Sequence, residues 1–256
     1  MANLIKFEHP LNERSRILLR IEFVFARIRH FLDSPSAWDA QAAVLALIEA
    51  ANLFSRSDIK SELIKELKRI GTLLSRFEPH PNLDTEELRN TITKLEKSDI
   101  ALQKLMRQIG RHLHDNDFFK SVMQRSSIPG GTCGFDLPQY HLWLNMPPEE
   151  RKSDLHAWFE DFEHINEAVK LLLKIYRESG ESSQEKAEKG FFMHKLATTK
   201  AVQLIVIELE DSLRVFPEIS GDRHRFNIRF RHLPEKSVVP ETCKSDLPFK
   251  LTISAI

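Results

Sequence analysis

The chain of 256 residues is long enough for one large domain or two modest ones, and its 41% hydrophobic and 29% charged residues supply both a core and a well-solvated surface. Thirty-seven basic residues balance thirty-seven acidic ones, which excludes a general polyanion binder but leaves room for a local basic patch. The two cysteines, Cys133 and Cys243, make no disulfide framework, and no apolar run approaches about 18 residues, so a soluble cytoplasmic protein is expected.

The first predicted element is a short apolar run over 2–8, closed by Pro10. From Asn12 to Leu32 the period turns helical, with Ile17, Ile21, Val24, Ile28 and Phe31 on one face. A second helix fills Ala37–Phe54 after the Ser34-Pro35-Ser36 break. A third runs from Ser57 to Phe77, its Ile59, Leu63, Leu67, Ile70 and Leu74 at the spacing of a helix–helix seam. Pro79 and Pro81 break the chain, Asp84 and Glu87 predict a capping box, and a fourth helix carries Leu88, Ile92, Leu95, Leu102, Met106 and Ile109 up to Gly110. A short helical piece is predicted over 117–125. These segments read as a bundle with short connections.

The stretch SIPGGTCGFDLPQYHLWL, Ser127–Leu144, holds three of the eight glycines. Pro129-Gly130 predicts a type II turn. Neither phosphate-loop glycine spacing is present. Tyr140, Leu142, Leu144 and Met146 then alternate with His141, Trp143 and Asn145, which predicts a strand over 139–146. Pro147-Pro148-Glu149-Glu150 opens a long helix to about Glu178. Residues 180–190 are polar and aperiodic and read as a mobile loop. The segment 201–210, apolar on both faces, reads as a central strand, and 225–233 and 248–256 alternate cleanly. The expected fold is α+β. A helical bundle covers 11–125 and 148–179. A mainly antiparallel β domain is assembled from 1–10, 126–147 and 180–256, the N-terminal strand joining the C-terminal sheet.

Two constellations suggest chemistry and neither holds. Cys133, His141 and Asp136 could serve as nucleophile, base and orienter, but nothing supplies an oxyanion hole, and a packed thiol is the better reading. His112 and His114 stand two apart, which on a helix points them to different sides, and no further ligands complete a metal spacing. Neither a cysteine nucleophile nor a metal site is expected from these residues. The stronger signal is GDRHRFNIRFRHL, Gly221–Leu233. In a strand, Phe226, Ile228 and Phe230 face one side while Arg225, Asn227, Arg229 and Arg231 face the other, and Arg223 adds to the charge. Such a face is either solvated or answered by an anion, because like charges side by side repel. Arginine in place of lysine favours forked bonds to carboxylate or phosphate. Nucleic acid is the alternative ligand. The phenylalanines, however, point away from the arginines, and the rest of the chain has no basic excess, so an acidic peptide fits better.

FEHPLNE (Phe7–Glu13), LRIEF (Leu19–Phe23), SELIKEL (Ser61–Leu67), SIPGG, CGFDLP (Cys133–Pro138), HLWL (His141–Leu144) and ISGDRHRFNIRF (Ile219–Phe230) together resemble the ZapD family, bacterial cell-division proteins associated with FtsZ. The weakest likeness lies at Gly180–Lys200 and Pro234–Leu247. The resemblance implies a non-enzymatic homodimer with a helical and a β domain that binds the C-terminal tail of FtsZ and bundles its filaments at midcell. It involves no cofactor, nucleic acid or membrane. Arg225 and Arg229 are the first candidates to anchor a tail carboxylate. Arg20 lies in LRIEF, where it could instead pair with Glu22. Arg56 near a helix end, His141 beside Tyr140 and Leu142, and Arg231 just past the best motif complete the candidate set.

Overall fold

In the computed structural model, residues 3–55, 58–77, 85–105, 108–196, 201–222, 224–235 and 237–256 are described. Arg56, Asp84 of the expected capping box, Met106 and Arg223 lie outside them. The chain divides into two compact units, Met1–Leu19 with Leu173–Ile256, and Arg20–Leu172.

The unit over Arg20–Leu172 is helical. It holds most of α1 (Glu13–Leu32), then α2 (Ala37–Ser55), α3 (Ile59–Ser75), α4 (Thr85–Lys104), α5 (Arg111–Asp115), α6 (Asp117–Arg125), α7 (Pro138–Leu144), α8 (Pro148–Phe159) and the first part of α9 (Glu163–Glu178). Helix α2 is buried on most of its circumference, and its core residues Ala40, Ala43, Ala46, Ala50 and Ala51 are small enough to let neighbours approach closely. Gly110 meets it with φ +72°; a Cβ there would lie 3.1 Å from Ala51 Cα, so both conformation and space require glycine. Phe25, Phe54, Phe159 and Phe162 interlock beside α2 with ring centroids 5.5–6.1 Å apart. The long helix expected over 148–178 is interrupted by a 3₁₀ turn at Glu160–Phe162. Tightening to three residues per turn helps set Phe159 and Phe162 into one aromatic cluster.

Ser127–Leu144 departs from expectation in part. Gly130 has φ +71° and Gly131 N–H donates to Ile128 O at 2.9 Å, so the turn at Pro129-Gly130 forms. Pro138–Leu144, however, is helix α7 and not the strand expected over 139–146. Pro138 occupies its first turn, where the missing N–H costs nothing. Tyr140 and Trp143, three residues apart, are both buried in a cluster with Phe118, Phe119 and Trp158, while Leu142 points out. The apolar alternation that suggested a strand was coincidental to this three-residue step.

The other unit contains two antiparallel sheets. The first has the order β1 (Leu4–Pro10), β4 (Val202–Glu210), β8 (Leu247–Ala255), β2 (Gly180–Ala187). The N-terminal strand thus joins the C-terminal sheet, and the doubly apolar segment over 201–210 is a central strand, both as expected. The second sheet has the order β3 (Phe191–Lys195), β6 (Arg225–His232), β5 (Val215–Gly221), with β7 (Glu241–Thr242) beside the end of β6. Ile205, Ile207, Phe249 and Leu251 from one sheet and Phe226, Ile228 and Phe230 from the other share one core cluster. The segment 180–190, expected to be a loop, is strand β2 and the turn after it. Its polarity suits an edge strand whose side chains are mostly exposed and whose backbone bonds β8.

Candidate functional site

Strand β6 positions the arginines. Its apolar residues Phe226, Ile228 and Phe230 are fully buried, which fixes the register and turns Arg225, Asn227, Arg229 and Arg231 to the outer face. Arg225 and Arg229 are exposed and, four residues apart on a strand, have Cα atoms about 13 Å apart. Lys195, Met193 and Phe191 of β3 lie opposite Arg225, Asn227 and Arg229, and Ser220 and Glu218 of β5 lie opposite Asn227 and Arg229 on the other side. Phe191 is 45% and Met193 50% exposed, so an apolar shelf adjoins the basic row.

Among the described residues, neither the Arg225 nor the Arg229 guanidinium makes a hydrogen bond or ion pair. The nearest acid in sequence, Asp222, is otherwise engaged. Its Oδ1 accepts the backbone N–H of His224 at 2.7 Å and of Arg225 at 3.1 Å. These bonds hold its carboxyl below the ordinary range, with smaller help from the charges of His224 and Arg225. Asp222 therefore shapes the turn into β6 and leaves the Arg225 fork unclaimed. Between the two arginines, Asn227 Oδ1 is buried and has no hydrogen-bond partner among the described residues.

Arg231 differs from its neighbours. Its Nη2 donates to Pro240 O at 2.8 Å and its Nη1 lies 3.7 Å from Glu218 Oε2. It is tied into the sheet's own structure.

The remaining candidates are in the helical unit. Arg20 is exposed on α1. His141 is exposed on α7, a helix, so the expectation that it sits on a strand is wrong; its ring lies over Gly134, where a Cβ would come within 3.0 Å. The Cys133 thiol donates to Asp136 Oδ2 at 3.5 Å, and Asp136 also lies 3.7 Å from Arg125, an arrangement that ties a loop together. His112 Nε2–H donates to the Trp158 carbonyl at 3.0 Å. Among the described residues no group of three or more His, Cys, Asp and Glu side chains could hold a metal ion, and no helix is long and apolar enough to cross a membrane.

A family model described as "ZapD: Cell division protein" matches residues 19–229. The chain belongs to the ZapD family of cell division proteins. It is 39% identical over 253 residues to the cell division protein ZapD of Methylococcus capsulatus, covering 99% of each chain. It is 37% identical to that of Nitrosomonas eutropha over 99% of this chain and all of the relative, and 34% identical to that of Aromatoleum aromaticum over 99% and 98%. The ZapD match encloses Arg20, His141, Arg225 and Arg229 and stops short of Arg231. Sequence reasoning missed Phe191, Met193 and Lys195. The signal for them was Lys189-Gly190, a two-residue hairpin turn, ahead of a run alternating between core and surface.

Proposed function

We propose that this chain is a non-enzymatic cell-division factor that binds the C-terminal tail of FtsZ through Arg225 and Arg229 and, as a homodimer, cross-links FtsZ filaments at midcell. The observation that carries this reading is a pair of exposed guanidiniums that make no hydrogen bond or ion pair among the described residues, set beside an apolar shelf. Uncommitted forks of this kind suit the carboxylates of a disordered acidic tail, which orders on binding. A single site of micromolar Kd, about −8 kcal/mol, is enough. Two sites per dimer and many tails per filament raise the effective concentration so that weak contacts hold filaments together. Arg20 and His141 are proposed separately, as contacts that the helical unit makes with FtsZ.

The test is co-sedimentation with FtsZ polymers. Bundling should weaken as salt rises, because the contact is between charges, and should vanish with FtsZ lacking its tail. Full bundling by tail-deleted FtsZ would place the contact elsewhere.

A further inference from the structure

The outer edge of β3 differs from every other sheet edge among the described residues. In the turn Glu188–Phe191, Lys189 has φ +49° and Gly190 +75°, and Phe191 N–H bonds Glu188 O while Glu188 N–H bonds Phe191 O, each at 2.9 Å. Both backbone groups of Phe191 therefore point away from β6. Leu196 N–H bonds His224 O at 2.8 Å, on the β6 side. Backbone direction alternates along an antiparallel strand. The N–H and C=O of Met193 and Lys195 must then point, like those of Phe191, away from β6. Among the described residues no strand pairs with them there.

Edges of native sheets are normally protected by proline or charge. Strand β5 carries Pro217, β1 carries Lys6, Glu8 and Pro10, and β2 carries Glu181, Glu185 and Lys186. Strand β3 presents Phe191 and Met193, with Lys195 as its one charge. A strand laid against this edge would lie about 5 Å from β3 and about 10 Å from β6. That places its outward side chains beside Lys195, Met193 and Phe191 and within reach of the long Arg225 and Arg229 side chains.

We infer that the acidic tail binds in extended form as an added strand on the open edge of β3, the Met193 and Lys195 backbone supplying main-chain hydrogen bonds and Lys195, Arg225 and Arg229 answering its carboxylates. The inference rests on the tail-binding reading and specifies its geometry. Main-chain bonding gives affinity independent of side chains, and the alternation of basic and apolar positions sets which peptides fit: acidic residues on one face, with an apolar one against Met193. Charge complementarity identifies the occupant as an acidic peptide rather than a second copy of this electrically balanced chain.

The decisive measurement is amide hydrogen exchange in the full-length protein with and without an FtsZ tail peptide. The Met193 and Lys195 amides should slow at least tenfold on binding while those of β1 and β2 stay unchanged. Met193→Pro removes an N–H that the β6 ladder does not use. It should weaken peptide binding at least tenfold without altering the melting temperature or oligomeric state. If the peptide binds and these amides stay unprotected, strand addition is wrong and tail binding through the arginines stands. If the wild type binds no tail peptide, both readings fail. If Met193→Pro separates a dimer, the edge is a contact between copies and the inference is overturned.

Discussion

Two kinds of arginine in this molecule show what separates a structural cation from one available to a partner. Arg151, on α8, is 5% exposed, and both terminal nitrogens of its guanidinium bond backbone carbonyls. Nη1 donates to the carbonyls of Leu144 and Met146, and Nη2 to Pro35 O at 2.6 Å. It thereby caps the end of α7 and fastens the α1–α2 loop to it, alongside the Trp143 Nε1–Asp154 bond of 2.9 Å. Arg225 and Arg229 are the opposite case: exposed, on a rigid strand, with their forks uncommitted. Burial alone does not make an arginine structural, nor exposure make it functional. The distinction is whether its donors already have acceptors.

The largest effect predicted from this contrast is at Arg151. Arg151→Leu takes the donor from the part-buried carbonyls of Pro35, Leu144 and Met146 and should destabilise the protein by about 3 kcal/mol in urea unfolding. A loss under about 1 kcal/mol would mean water replaces the guanidinium and the contrast is weaker than drawn. Next comes the double variant Arg225→Glu/Arg229→Glu. Charge-assisted bonds contribute about 1.5–3 kcal/mol each, so tail-peptide binding should fall at least a hundredfold in a titration, while urea midpoint and circular dichroism stay at wild-type values. Unfolding of this variant would reclassify both residues with Arg151.

How much of this was readable in the sequence varies by element, for physical reasons. Strand β6 was legible because the fully buried Phe226, Ile228 and Phe230 enforce strict alternation over eight residues. Helix α7 was not, because over seven residues a period of two and a step of three between Tyr140 and Trp143 look alike, and the deciding information lies in the distant rings of Phe118, Phe119 and Trp158. Strand β2 was hidden because an exposed edge strand needs no apolar pattern; its stability comes from pairing with β8, including the Ser182–Thr252 hydroxyl contact of 2.8 Å. The arginine row was visible from the sequence. The Lys189-Gly190 turn signals the strand that holds Phe191 and Met193, but only the register of β3 against β6 shows that they adjoin that row.

Arg231 sharpens the contrast from the middle. It is partly buried, with one bond to a carbonyl and one long ion pair. Arg231→Gln should cost about 1 kcal/mol of stability. It should also change tail-peptide affinity less than threefold. A tenfold loss of binding with unchanged stability would move Arg231 into the same class as Arg225.

The smallest effect concerns pH and lies in the pairing of the two chain ends. His9 on β1 sits opposite Ile205 of β4, and burial, then the charge of Arg16, pushes its pKa below the ordinary value of 6.5. The proton therefore binds the unfolded chain more tightly than the folded one. Stability from this source is complete above pH 6.5 and declines as pH falls through the depressed pKa. Asp58, Asp117, Asp222 and Asp246, with pKa values lowered from 3.8, act only in a more acid window. Between pH 7.5 and 5.5 the wild type should thus lose melting temperature by a small amount that His9→Gln abolishes. An identical decline in the variant would assign the pH dependence to other histidines and remove the β1–β4 pairing as its source.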